Sequence, residues 1–232
     1  MKVNDRYCSF YYENDDDYGT IEIEPEKTAL LIIDAEYACV KRPQPENPSP
    51  AELENIARWE PFYEKYDKVI IPNLQRLISL CRRTGIEVTY AKIQGFKSNG
   101  RDRSLDQKVS GFNQFLVTSG DHRGDIIQEI APQKEDIVVT KTTDSALTGT
   151  NLRLILHNMG IDTVIVTGTM TGQCVSGTVR DLADESFKVW LIEDACLAAT
   201  KRLHETELEI LNNIYCHVIT TQELIDVVNQ TR

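Results

Sequence analysis

"NLRLILHNMGIDTVIVTGTMTGQCVSGTVRDLADESFKVWLIED", residues 151–194, reads as helix, strand, helix, strand. The leucines of 151–160 recur at helical spacing, and Gly160 is a natural stop for that helix. "IDTVIVTG" (161–168) is apolar without alternation, as a strand covered on both faces must be. A short Gly/Thr bend follows and delivers one cysteine, Cys174, where the next helix begins. "FKVWLIED" (187–194) is again a continuous apolar run that ends in acids.

The same alternation extends in both directions. Strand-like runs occur at 28–34 ("TALLIID"), 86–93 ("IEVTYAKI"), 136–141 ("DIVVTK") and 216–221 ("CHVITT"), with helical stretches between most of them. Six covered strands alternating with helices predict an α/β protein: a three-layer αβα, doubly wound, mostly parallel sheet. The chain reads as a single domain over 1–232. Residues 1–20, acidic and aromatic, form an N-terminal arm. Residues 41–66 are an insertion that begins with four prolines and continues as a helix. An insertion directly after a strand end lies over a site or at an interface.

Composition narrows the partners. The 232 residues are 41% hydrophobic and 26% charged, with a net charge of −11. That balance argues against nucleic acid or an anionic membrane, both of which want a basic face. No apolar run is long enough to span a bilayer, and the N-terminus lacks a signal-type apolar core, so a cytoplasmic location is expected. The six cysteines contain no C-x-x-C pair and are expected as free thiols.

In a doubly wound sheet, sites form at the carboxyl ends of the strands. Asp34, Lys141 and the 169–174 bend all sit at such ends. A thiol reacts as thiolate, and at its free pKa of about 8.5 only a few per cent is ionised at neutral pH. The start of a helix and the Lys141 ammonium are both expected to lower that value for Cys174. Asp34 closes an apolar strand and is placed to take the thiol proton. The histidines are not: His157 and His204 fall in helices, His217 starts a strand and His122 lies in a loop.

Three motifs carry a resemblance to the isochorismatase-like cysteine hydrolases over residues 27 to 220. They are "ALLIIDAEYACV", "VVTKTTDSALTGTNLRLILHNMGID", and "TVIVTGTMTGQCVSGTVRDL" with "VWLIEDAC". The resemblance implies Cys174 as nucleophile, Asp34 as general base and acid, and Lys141 as the group that stabilises the thiolate and orients Asp34. It implies a cis peptide at Thr169–Met170 and an oxyanion hole built from the Met170 and Cys174 amides. It also implies assembly as a homo-oligomer, a dimer or tetramer. The ureidoacrylate and biuret amidohydrolase branch is the nearest in pattern, since "IQGF" follows the second strand as it does there.

The expected activity is hydrolysis of a C–N bond in a small amide, ureido or carbamoyl compound through a Cys174 thioester. No cofactor is expected. No metal is expected either, because the stretch after the second strand lacks the histidine motif of the nicotinamidases. Gln94 and Arg101 (or Arg103) are candidate substrate contacts, the first for a carboxamide and the second for a carboxylate. Glu36 and Asp144 depart from the family pattern and are further candidates, able to repel an anion or bind a polar neutral group. Two rival readings are a vinyl-ether hydrolase of isochorismatase type, which needs Asp34 but not the thiol, and a binding protein on the same fold.

Overall fold

A computed structural model describes residues 5–14, 23–108 and 116–230; the remainder of the expected arm over 1–20 lies outside the described residues. In chain order come β1 (Thr28–Ile33), α1 (Tyr37–Val40), α2 (Pro50–Lys65), α3 (Ile71–Thr84), β2 (Glu87–Ile93), β3 (Ile137–Lys141), α4 (Leu152–Asn158), β4 (Thr163–Thr169), α5 (Ser176–Asp184), β5 (Lys188–Leu197), α6 (Lys201–Leu211), β6 (His217–Ile219) and α7 (Thr221–Gln230). All six expected strands are present, within a few residues of the expected limits. The sheet order is β3-β2-β1-β4-β5-β6 and every pairing is parallel.

Side chains alternate across each strand, and here both faces are covered. Leu30 and Ile32 of β1 pack with Leu74, Leu77 and Ile78 of α3 and Leu224 and Val228 of α7. Ala29, Leu31 and Ile33 face the other layer, with Leu152 of α4, Val179 and Leu182 of α5, and Leu208 of α6. All six β1 residues are buried, which is why that strand reads as an unbroken apolar run.

The order of the strands reverses between β1 and β4, and a crevice opens there at their carboxyl ends. The two strands approach closely at that point. Gly168 pairs with Ile33, and a Cβ at Gly168 would lie 2.0 Å from the Ile33 carbonyl oxygen. Its φ of +116° is open to glycine and strained for other residues. Asp34, the next residue along, adopts φ +50°, a region that Asp tolerates better than most side chains.

The proline-rich insertion turns into α2 through a capping box. The Ser49 hydroxyl accepts from the Glu52 amide, the Glu52 carboxylate accepts from the Ser49 amide, and Pro50 fills the first helical position. Phe62 and Tyr66 fix the end of this helix in the core. Arg42 bonds Glu60 and Asp67, and Lys41 bonds Asp67 and Glu129, tying the strand-end segment to the helix.

Candidate active site

Three strand ends converge on one point. Asp34 follows β1, Lys141 ends β3, and Cys174 lies in the turn Thr171–Val175 between β4 and α5. Since β2 stands between β3 and β1, Lys141 must reach across a whole strand, and only a long side chain does so. Its Nζ donates to Asp34 Oδ2 at 2.9 Å, to Cys174 Sγ at 3.3 Å and to the Thr143 carbonyl at 3.2 Å. Lys141 is 1% exposed, and Asp34 and Cys174 are also buried.

The turn that carries Cys174 is held from both sides. The Thr169–Met170 peptide is cis, at the position the resemblance implied. Thr169 Oγ1 donates to the Asp34 carbonyl, and Thr178 Oγ1 to the Cys174 carbonyl. Thr171 shares a 2.8 Å hydrogen bond with Nδ1 of buried His204, whose pKa is pushed down to about 4 by burial first and then by the charge of Lys65. This histidine thus acts on the turn's geometry as a neutral ring, a role its place in a helical stretch did not reveal.

The electrostatics correct one expectation. The Cys174 thiol is held well above its ordinary pKa, first by burial and then by the Asp34 charge, against the opposing pull of Lys141. Burial raises Asp34 by more than Lys141 lowers it, so its carboxyl stands above its ordinary value. The desolvation penalty on Lys141 is outweighed by Asp34 and Cys174, so the ammonium stays charged. One cation cannot neutralise both a carboxylate and a thiolate in a dry site. The resting arrangement is therefore Lys141 ammonium, Asp34 carboxylate and Cys174 thiol.

Beside the triad lies a cleft of about 270 Å³, lined by Asp34, Thr169, Met170, Gln173 and Cys174 on the sheet side. Asn55, Trp59 and Tyr63 of α2 also line it, as does Gln107. The insertion thus lies over the site. Its three lining residues are spaced four apart, a helical stripe that was visible in the sequence and carried the signal. Gln107 had no such signal.

The other expected contacts divide. Asp144 does reach the site: its Oδ1 accepts from Cys174 Sγ at 3.5 Å and from Gln107 Nε2 at 2.6 Å. Glu36 does not line the cleft. It is 1% exposed, its Oε1 accepts from the Ile93 amide at the end of β2, and burial, then the Asp34 charge, lift it well above the usual carboxylate range. Gln94 does not line it either, because its side chain packs against the turn at Gly124, where an added Cβ would meet its Nε2 at 2.0 Å. Arg101 is exposed and away from the cleft; its carbonyl accepts from Lys108. Arg103 packs on Gly100. Among the described residues, no group of three His, Cys, Asp or Glu side chains is placed to hold a metal ion.

Comparison with known proteins places this arrangement. The isochorismatase domain pattern matches residues 28–223. The chain belongs to the isochorismatase family. Nicotinamidase 3 of Arabidopsis thaliana is 30% identical over 68% of this chain and 78% of its own length. The ureidoacrylate amidohydrolase RutB of Acinetobacter baylyi is 22% identical over 89% of this chain and 85% of its own. Among solved structures, a cysteine hydrolase from Pseudomonas syringae pv. phaseolicola superposes with a TM-score of 0.77 at 22% identity, covering 94% of this chain and all of that one. The isochorismatase-family fold is thus the six-stranded parallel sheet described above. Among the described residues, no helix is long and apolar enough to cross a membrane.

Proposed function

We propose that this isochorismatase-family hydrolase is a cysteine-dependent amidohydrolase that cleaves a C–N bond in a small amide, ureido or carbamoyl compound. The observation that carries the reading is the single Lys141 ammonium within hydrogen-bonding reach of both Asp34 and Cys174. Relatives named as amidohydrolases support the bond type.

Because the thiol is protonated at rest, attack and proton transfer occur together. Cys174 Sγ forms a bond to the carbonyl carbon as Asp34 takes the thiol proton. The developing oxyanion is met by the Met170 and Cys174 amides. Asp34 then gives its proton to the leaving nitrogen, the C–N bond breaks, and ammonia or an amine departs. Water attacks the thioester carbon and yields a proton to Asp34. The C–S bond breaks, the acid product leaves, and the proton returns to sulfur. Lys141 stays charged throughout, and its pairing shifts between carboxylate and sulfur as the negative charge moves.

The test is ammonia release from a panel of ureido compounds and carboxamides, with intact-mass measurement of the Cys174 peptide during turnover. Wild type should release ammonia and carry an acyl mass on Cys174; Cys174→Ser should lose at least about a hundredfold in rate. Equal rates in the two proteins would rule out the thioester route. Turnover of isochorismate by Cys174→Ala would instead favour the vinyl-ether reading.

A further inference from the structure

Asn55 and Gln173 bring to the cleft carboxamides that can donate or accept, whereas the side chains nearest the sulfur offer acceptors. Asp144 Oδ1 lies 3.5 Å from the sulfur, so a substituent on a sulfur-bound carbon that points to that side falls within its reach. Gln107, 4% exposed, gives its Nε2 to Asp144 at 2.6 Å and to Asp106 Oδ2 at 3.4 Å. Both of its N–H groups are thereby committed, and only its carbonyl oxygen remains for a ligand. Of Asp144, Gln107 and Asp34, the last two line the cleft, and Asp34 has a buried Oδ1 without a hydrogen-bond partner. These three groups all ask for donors.

Cations are missing where a substrate carboxylate would need one. Lys141, buried behind the lining, is committed to Asp34, Cys174 and Thr143. No lysine or arginine lines the cleft among the described residues. Asp144 also shares a hydrogen bond with Asp106, and burial first, then Asp106, raises it above its ordinary value. Burial raises Asp106, but the hydrogen bonds it accepts, from Ser104 and Asp144 first, outweigh that and hold it below its ordinary value, so Asp106 holds the pair's negative charge more readily than Asp144. Trp59 and Tyr63 add flat ring surfaces to the lining, and the Arg42 guanidinium, bonded to Glu60 and Asp67, lies over the Tyr63 ring.

We propose that Asp144 and Gln107 make the cleft select donor-rich, uncharged or cationic amides, and reject those with a carboxylate near the scissile group. The proposal rests on the amidohydrolase reading, whose substrate class it narrows. The side of the substrate next to the reacting carbon carries N–H groups, which donate to Asp144 and to the Gln107 carbonyl. Its remainder is flat or apolar and lies on Trp59 and Tyr63. A carboxylate in the same place meets Asp144 and finds no lysine or arginine in the lining among the described residues.

Two alkylating agents of similar size read the charge directly. Iodoacetamide is neutral and iodoacetate is an anion, and both consume the same thiolate, so the ratio of their rates does not depend on the thiol's pKa. The rates are followed on the Cys174 peptide by mass spectrometry and referenced to N-acetylcysteine amide. The iodoacetamide preference at Cys174 should exceed that of the reference thiol by about tenfold, and Asp144→Asn should cut this excess by about threefold or more. A preference equal to that of the reference, or one unchanged in the variant, overturns the proposal.

A second measurement needs no reaction at sulfur. Benzamide, 4-(aminomethyl)benzamide and 4-carbamoylbenzoate are titrated into Cys174→Ala by calorimetry. The neutral and cationic amides should bind at least about tenfold more tightly than the anion. Equal or tighter binding of the anion, or no binding by any of the three, overturns it. The two failures are separable: an acyl-enzyme formed preferentially from anionic amides defeats the selectivity alone, whereas charge selectivity without any acyl-enzyme defeats the amidohydrolase reading.

Discussion

The Lys141 ammonium sits 2.9 Å from Asp34 Oδ2, with side chains 0% and 5% exposed. A pair buried so deeply contributes little net stability, because desolvation of both ions offsets most of their attraction. Its value lies in the charge it leaves available at sulfur.

Removing one partner should therefore cost far more than the pair contributes. Lys141→Met leaves the Asp34 carboxylate buried and uncompensated, and should lower unfolding stability at neutral pH by roughly 3–5 kcal/mol. Urea denaturation of wild type and variant measures this. A loss below 1 kcal/mol, which would place the pair with exposed ion pairs, contradicts the burial described above.

Alkylation of Cys174 should follow the burial of its thiol. The rate should keep rising through about pH 9, without a plateau between about pH 6 and 8. Asp34→Asn removes the negative charge that raises the thiol, so its titration should move to lower pH. A plateau near neutrality in wild type would mean a preformed thiolate.

Gly168 is the tightest contact between the two strands that carry the site. Gly168→Ala places a methyl group 2.0 Å from the Ile33 carbonyl at a φ unsuited to alanine. The strands must separate, and stability should fall by more than about 2 kcal/mol, with activity lost in the fraction that folds. A thermal midpoint within a degree of wild type would refute the close approach.

His204 predicts a pH dependence with a definite sign. Its pKa of about 4 in the fold lies below the ordinary 6.5, so the unfolded chain binds the extra proton first. Its contribution is complete above about pH 6.5 and is lost as pH falls towards 4, amounting to at most roughly 3 kcal/mol. His204→Gln keeps a polar partner for Thr171 and cannot titrate in this range. The variant's stability curve should be flatter between those limits, and parallel curves would assign the titration to other groups.

The architecture was legible because β1, β4 and β5 are buried on both faces and their apolar runs are unbroken. Asp34, Lys141 and Cys174 were legible because strand ends in a parallel sheet share one rim. What could not be read was distance across the chain. Gln94 and Asp144 both follow strand ends closely, yet only Asp144 turns towards the sulfur, since Gln94 is drawn under the Gly124 turn. The protonation of Cys174 was equally hidden. A helix start and a lysine are visible in sequence, but the loss of solvent that outweighs them belongs to the packed molecule.

β3 stands at the margin of the sheet, paired on one side only, to β2. The only ammonium in the triad is therefore supplied by one of the two edge strands. Until that margin zips onto β2, the first and fourth strands can be fully formed and still hold an acid and a thiol with no counter-charge. In the mechanism proposed above, the lysine's charge thus depends on the pairing of an outer strand, β3, with β2.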